Sequence, residues 1–84
     1  MIADLEVDVV GLKCPLPVLK LKKRIESLNH GQLVKLVTSD STTIKDVPAF
    51  CGLSGHEIVE MSTIKRPYIF WIRICNSGIN QLSV

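Results

Sequence analysis

The stretch that decides the fold is residues 5–17, Leu-Glu-Val-Asp-Val-Val-Gly-Leu-Lys-Cys-Pro-Leu-Pro. Its first five residues alternate between apolar and acidic side chains, which is the period of a strand with one buried face. Gly11 then breaks the pattern, and two prolines follow. Proline fits the first turn of a helix, because its missing N–H has no intrahelical partner there. The stretch predicts a strand over 5–9 and a helix that starts at about Pro15, with Cys14 at or beside its N-cap.

The residues after Pro17 continue as an amphipathic helix. Apolar side chains recur at helical spacing on one face, and Lys20, Lys23 and Arg24 lie opposite. The apolar stripe consists of Val18, Leu21, Ile25 and Leu28. We expect this helix to end near residues 29–31.

The second half of the chain predicts one more helix and three more strands. Residues 33–38 form a β-rich run whose only charge is Lys35, typical of an interior strand. Residues 39–41, Ser-Asp-Ser, offer N-caps for a second helix that ends at Gly52 and Gly55. We expect Pro48 to interrupt or restart that helix, Asp46 to act as a second cap, and the buried side to consist of Ile44, Val47, Phe50 and Cys51. Residues 56–61 and 68–74 follow as two strands of a hairpin that turns at 65–67.

The predicted order β-α-β-α-β-β restricts the architecture. A helical crossover between the first two strands makes them parallel and right-handed if they share a sheet. We therefore expect an α/β fold with a four-stranded mixed sheet and both helices on one face. The last strand should direct Tyr68, Phe70, Ile72 and Ile74 toward the helices, leaving Ile69, Trp71 and Arg73 on a partly open face. The domain is expected over residues 1–75, followed by a polar tail over 76–84.

Length and composition exclude several classes of protein. With 84 residues the chain suits one domain, and ten basic against eight acidic residues give a net charge of +2, too mild by itself to indicate nucleic-acid binding. Apolar runs fall far short of the ~20 residues of a membrane span, and acidic residues near the start argue against a secretory signal. Three cysteines without a C-x-x-C pair favour reduced thiols, and the spacing of cysteine and histidine predicts no zinc site. We expect a cytoplasmic protein without membrane association, metal or cofactor.

The residue that predicts chemistry is Cys14. Unpaired N–H groups at a helix start, with Lys13 alongside, are expected to lower the pKa of this thiol. A thioredoxin-like dithiol would need a cysteine at position 17, which is proline, and a hydrolase triad would need His30 or His56 beside the thiol. Nothing in the sequence brings either histidine there. A group carrier, which accepts an atom from one protein and gives it to another, remains.

Residues 8–17, Asp-Val-Val-Gly-Leu-Lys-Cys-Pro-Leu-Pro, resemble the signature of the TusA (SirA-like) sulfur-carrier family, C-P-x-P after D-x-x-G-L. The resemblance continues through Asp40, through the Asp-Val-Pro-Ala-Phe-Cys run at 46–51 and through His56 to the last strand, covering about 4–74. It implies a two-layer α/β sandwich and a persulfide relay from a cysteine desulfurase to a downstream acceptor protein. In bacterial members this route leads to 2-thiolation of the wobble uridine of certain tRNAs.

The resemblance assigns roles by position. It implies that Cys14 carries the sulfur and that the protein is a sulfurtransferase of the carrier type. The supporting positions it implies are Pro15 and Pro17, which hold the helix start, Gly11 and Leu12, which shape the approach, and Asp46 and Cys51, which match the second family element. Lys13 and Leu16 occupy variable positions, and the tail beyond Cys75 follows no family pattern.

Half of the basic residues are clustered near the thiol, namely Lys13, Lys20, Lys22, Lys23 and Arg24. A solvated helix face is the ordinary explanation for such a run. Beside a carrier thiol, Lys20, Lys23 and Arg24 also suit docking to acidic partner surfaces, with Leu16 as an exposed contact. Of the other thiols, we expect Cys51 to be buried for structural reasons and Cys75 to be incidental.

Other functions remain open from the sequence. The basic helix face would also suit a small RNA-binding module, although no direct contact with nucleic acid is expected. RNA affinity would then fall steeply with salt and be unaffected by Cys14→Ser. A regulatory domain, for which the cysteine is dispensable, is a third possibility. If the chain carries sulfur, the acceptor could belong to tRNA thiolation, molybdenum-cofactor enzymes or sulfur oxidation.

Overall fold

The computed structural model describes residues 2–75 of the chain. The elements follow in the order β1 (Leu5–Val9), α1 (Leu16–Ile25), β2 (Leu33–Thr38), α2 (Thr43–Ser54), β3 (Glu57–Ser62) and β4 (Tyr68–Arg73). This confirms the predicted β-α-β-α-β-β order. The predicted polar tail, 76–84, lies outside the described residues.

The four strands form one mixed sheet in the order β1-β2-β4-β3. β1 and β2 are parallel because α1 returns the chain to the edge where β1 began, and β4 runs antiparallel to both β2 and β3. Val9 pairs with Thr38, and Thr38 pairs with Tyr68, so the ends of β1 and β2 and the start of β4 lie at one edge of the sheet. The chain leaves this edge toward α1 and α2.

Both helices cover one face of the sheet, as predicted. Alternate residues of β1, β2 and β4 are fully buried on that face, including Val7, Leu36, Phe70 and Ile72. The helices complete this core with Pro17, Leu21 and Ile25 from α1, and Thr43, Val47 and Cys51 from α2. Each large aliphatic or aromatic side chain buried in this way contributes about 1.5–3 kcal/mol. The core therefore fixes where the first turn of each helix lies.

The other sheet face is partly open, also as predicted. Ile69 and Trp71 are half-buried, and Arg73 is exposed. Lys35, which pairs with Trp71 across β2 and β4, places its Nζ 5.5 Å from the centroid of the indole ring. This contact covers an apolar ring with a charged side chain.

The end of α1 differs from the prediction. The helix stops at Ile25 instead of residues 29–31, and the chain continues in tight turns. The N–H of Glu26 donates to the carbonyl of Lys23, and the N–H of Leu28 donates to the carbonyl of Ile25. Leu28 still packs against the core. The spacing of three residues between Ile25 and Leu28 therefore brings both side chains to the core although the chain between them forms turns instead of helix.

Pro48 does not interrupt α2, and this prediction was wrong. The helix runs without a break from Thr43 to Ser54 and ends at Gly55, whose φ of 84° lies in the left-handed region that glycine favours. Proline removes one backbone donor from a helix. Val47 and Cys51 are buried on either side of it, and their packing holds the helix together through that gap. Within residues 2–75, neither helix is long and apolar enough to cross a bilayer.

Candidate functional site at Cys14

Cys14 lies in the turn between β1 and α1, with its side chain exposed. Two tight turns lead from the strand to the helix, closed by bonds from the N–H of Leu12 to the carbonyl of Val9 and from Leu16 to Lys13. Gly11 has a φ of 91°, which suits glycine and explains its place in the turn. The loop therefore presents the thiol to solvent one residue before the N-cap.

The two prolines take the predicted positions. Pro15 is the N-cap of α1, the Cys14–Pro15 peptide is cis, and Pro17 is the second helical residue. Pro17 is fully buried, while Leu12 is half-buried against the core. These two residues anchor the chain on both sides of the thiol.

The loop before α2 holds the Cys14 turn from the side. The N–H of Cys14 donates to Oδ2 of Asp40 at 2.6 Å, and the N–H of Gly11 donates to Oγ of Ser39 at 2.9 Å. Asp40 also accepts the N–H of Thr42 at Oδ1, at 3.0 Å, so it joins the start of α2 to the thiol loop. These backbone bonds, with a smaller contribution from the charge of Lys13, lower the pKa of Asp40.

The side chain of Asp46 contacts the thiol itself. Sγ of Cys14 donates a hydrogen bond to Oδ2 of Asp46 at 3.3 Å. Asp46 belongs to the first turn of α2, where its N–H donates to the carbonyl of Thr42 at 2.9 Å. The prediction that Asp46 caps a restarted helix was wrong, because α2 does not restart. Its carboxylate is free to face the neighbouring loop.

The expected lowering of the Cys14 pKa was wrong in direction. The hydrogen bond to Asp46 raises the pKa of Cys14 above its ordinary 9.0, and desolvation and the charges of Asp46 and Asp40 act in the same sense. A hydrogen bond with the Thr42 side chain acts in the opposite sense. The carboxylates of Asp46 and Asp40 thus raise the pKa of this thiol although it lies at a helix start, and the group at neutral pH is a protonated thiol.

The predicted partner-binding residues come together in one groove. Leu12, Leu16, Leu19, Lys20, Lys23 and Arg24 line an open groove of about 550 Å³. Leu16 is 50% exposed and Leu19 is 54% exposed, so the groove has an apolar floor and a basic rim. Sequence reasoning missed Leu19, although its spacing of three from Leu16 and four from Lys23 places it on the same helix face.

A second, more polar cleft lies on the other side of the thiol loop. It measures about 320 Å³, and its charged lining residues are Lys13, Asp40 and Arg66. Nε of Arg66 donates to the carbonyl of Ser39 at 3.0 Å, which brings the β3–β4 hairpin to this edge of the sheet. The sequence indicated only a turn at Arg66, because no local pattern connects the hairpin with the loop before α2.

The other thiols have different environments. Cys51 is buried as predicted, and burial raises its pKa to about 11. The N–H of Cys75 donates to Nδ1 of His56 at 3.1 Å, at the edge of the sheet where β4 ends. His30 lies in the turn before β2, at that same edge, so the structure places both histidines away from Cys14. Among residues 2–75, His, Cys, Asp and Glu side chains form no group of three suited to a metal ion.

The fold and the site together define a small two-layer α/β protein with one exposed thiol, among the residues described, at the start of its crossover helix. The chain belongs to the TusA family: residues 5–74 match the family described as "Sulfurtransferase TusA".

Relatives named "Sulfur carrier protein TusA" are similar over most of their length. The chain is 40% identical over 70 residues to such a protein from Pseudomonas syringae pv. syringae (strain B728a), covering 83% of both chains. The relative from Pseudomonas aeruginosa (strain LESB58) is also 40% identical, over 83% of this chain and 89% of its own. That from Pseudomonas entomophila (strain L48) is 37% identical over 73 residues, 87% and 91% of the two chains. Family membership supports a sulfur-carrier role, which implies one partner that donates sulfur and another that accepts it.

Proposed function

We propose that the protein accepts a sulfane sulfur from a cysteine desulfurase as a persulfide on Cys14 and passes it to a downstream acceptor protein. The observation that carries this proposal is the exposed Sγ of Cys14 in a chain that belongs to a family of sulfur carriers. The neighbouring cysteines are less suitable, because Cys51 is buried and Cys75 is only partly accessible.

The chemistry requires access to Sγ more than it requires a pocket. A persulfide on the donor protein must bring its outer sulfur to Sγ, and the acceptor must later reach that same sulfur. After transfer the outer sulfur projects beyond Cys14, on a loop that neither helix covers. The exchange of a persulfide against a thiol conserves atoms and electrons, so the carrier needs no cofactor for it.

The groove beside the thiol supports docking of these partners. Its rim of Lys20, Lys23 and Arg24 suits acidic surfaces, and such charge complementarity speeds encounter. Leu16 and Leu19 offer exposed apolar contacts that a partner would bury. We therefore assign donor and acceptor binding to this groove.

For the acceptor pathway, we propose 2-thiolation of the tRNA wobble uridine in the cytoplasm, as the family resemblance implies. The test uses a bacterium whose own carrier gene has been deleted and measures 2-thiouridine in its tRNA. Wild-type protein should restore the modification, and Cys14→Ser should not. If the wild type does not restore 2-thiouridine but does restore molybdenum-cofactor enzyme activity or sulfur oxidation, the acceptor belongs to that pathway instead.

The loading step has a direct test. The purified protein is incubated with a cysteine desulfurase and cysteine, and its intact mass is measured without reductant. Wild type and Cys75→Ser should each gain the mass of one sulfur atom, and Cys14→Ser should gain none. A wild type that takes up no sulfur, or a Cys14→Ser variant that still does, overturns the proposal.

A further inference from the structure

The hydrogen bond between Cys14 and Asp46 distinguishes the empty carrier from the loaded one. In the empty carrier Sγ holds a proton and donates it to Oδ2 of Asp46. Once Sγ is bonded to a second sulfur it has no proton to donate, so the bond is lost. We propose that Asp46 makes the loaded form of Cys14 the less stable one at neutral pH and so favours onward transfer of the sulfur; this inference rests on the proposed function.

The placement of Asp46 is fixed by the fold. Its own N–H is bonded to the carbonyl of Thr42, and the next residue, Val47, is fully buried in the core. The side chain is half-buried, so it has limited freedom to turn away when the thiol changes. A carboxylate held in this way stays next to Sγ in both the empty and the loaded carrier.

The electrostatics act in the same direction as the lost hydrogen bond. A perthiol is more acidic than a thiol, so a loaded carrier holds an anion at neutral pH while an empty one holds a neutral thiol. Asp46 attracts the thiol proton and repels the persulfide anion. Both effects stabilise the empty form relative to the loaded form.

The other charged groups around the thiol modify this bias without reversing it. Asp40 lies on the loop before α2 and adds negative charge, but both of its carboxylate oxygens are engaged with backbone N–H groups. Lys13 and Arg66 line the adjoining cleft together with Asp40. From α1, the side chains that share a hollow with Asp46 are apolar, namely Pro15, Val18 and Leu19. Asp46 is thus the carboxylate in direct contact with the reacting sulfur.

The transfer step itself balances. Sγ of the empty carrier bonds to the outer sulfur of a persulfide on the donor cysteine, and the bond between that outer sulfur and the donor sulfur breaks. The electron pair stays with the donor, which leaves as a thiolate and takes up the proton that Sγ of Cys14 releases. Cys14 is oxidised from thiol to persulfide, and the donor cysteine is reduced to a thiol. The position of this equilibrium is what Asp46 shifts.

Competition between two carriers measures the shift directly. Isotope-labelled wild type, loaded by a cysteine desulfurase, is mixed with an equal amount of empty Asp46→Asn, and glutathione is added as the thiol that shuttles sulfur between them. Intact mass spectrometry then gives the share of sulfur on each chain. Labelled against unlabelled wild type, and wild type against Glu60→Gln on exposed β3, serve as controls that should share sulfur equally.

We expect Asp46→Asn to hold about threefold to tenfold more sulfur than wild type at neutral pH, the range for the net contribution of one ordinary hydrogen bond at an exposed site. The preference should disappear above the pKa of the thiol, because Asp46 then repels anions in both states. Equal sharing at neutral pH, a preference for wild type, or a preference independent of pH would each overturn the inference. Asp46→Glu, which keeps the charge, should remain closer to wild type. If wild type itself takes no sulfur, the proposed function fails instead.

Discussion

Sγ of Cys14 and Oδ2 of Asp46 are joined by a 3.3 Å hydrogen bond across 32 positions of sequence. The bond connects the loop at the start of α1 with the first turn of α2. It raises the pKa of the exposed cysteine, whereas an isolated helix start would lower it. The reactivity of this thiol is therefore set by the packing of the two helices.

Replacing Asp46 with asparagine should make Cys14 more reactive toward small electrophiles. The hydrogen bond and the charge of Asp46 both raise the pKa of the thiol, so their loss lowers it and increases the thiolate fraction near neutral pH. The measurement is the rate of iodoacetamide alkylation against pH. Its midpoint should move to lower pH in Asp46→Asn and stay in place in Glu60→Gln. An unchanged or higher midpoint would show that Asp46 does not act on the thiol.

Two leucines of α1 should separate stability from docking. Leu21 is fully buried, so Leu21→Ala should lower the free energy of unfolding by about 2–5 kcal/mol in urea titrations. Leu19 is mostly exposed in the groove, and Leu19→Ala should change stability by less than about 0.5 kcal/mol. Leu19→Ala should instead weaken docking, so that a higher desulfurase concentration is needed to reach half of the maximal loading rate. Equal loading curves for Leu19→Ala and wild type would argue against the groove as the docking site.

Charge reversal on the groove rim should slow loading in a salt-dependent way. Lys20→Glu with Lys23→Glu removes positive charge beside the thiol, and steering by exposed charges weakens as ionic strength rises. We expect the double variant to load several-fold more slowly at low salt, with the difference shrinking at high salt. Lys45→Glu with Lys65→Glu changes the net charge by the same amount at exposed positions outside the groove, and this matched control should be nearly unaffected. An equal loss in the control would point to net charge alone.

Buried Cys51 should make the fold sensitive to alkali. Its pKa is raised from 9.0 to about 11, so between these pH values the unfolded chain releases a proton that the folded chain retains. The contribution of this thiol to the free energy of unfolding is fully present below pH 9. It is lost as the pH rises toward 11, which lowers the free energy of unfolding by about 2–3 kcal/mol in total. Urea titrations over this range should show a smaller fall in Cys51→Ala than in wild type. Parallel curves would mean that Cys51 does not contribute.

Much of the fold followed from the sequence because the decisive patterns are local. The alternation in β1 and the compact run of β2 predicted both strands with the observed bounds, and the prolines predicted the start of α1 to within one residue. The end of α1 was less predictable, since residues 26–28 keep an apolar spacing in turns. Pro48 was misjudged because the packing of its neighbours, not the backbone bond it removes, decides whether α2 continues.

The candidate site was only half predictable. Cys14 and the exposed basic face are readable from one segment, whereas Asp46 reaches the thiol only through the packing of α2 beside α1. An argument from the helix start alone gave the wrong sign for the pKa of Cys14, because it took no account of carboxylates from a distant segment. Arg66 was missed for the same reason, since the hairpin meets the site only in three dimensions.

The measurement that tests the central claim most directly is the location of the transferred sulfur. After loading by a cysteine desulfurase, the persulfide is trapped with an alkylating agent, the protein is digested, and each cysteine peptide is weighed. The extra sulfur should be found on the Cys14 peptide, with Cys51 and Cys75 unmodified. Sulfur on either of those cysteines, with Cys14 left as a plain thiol, would contradict the account.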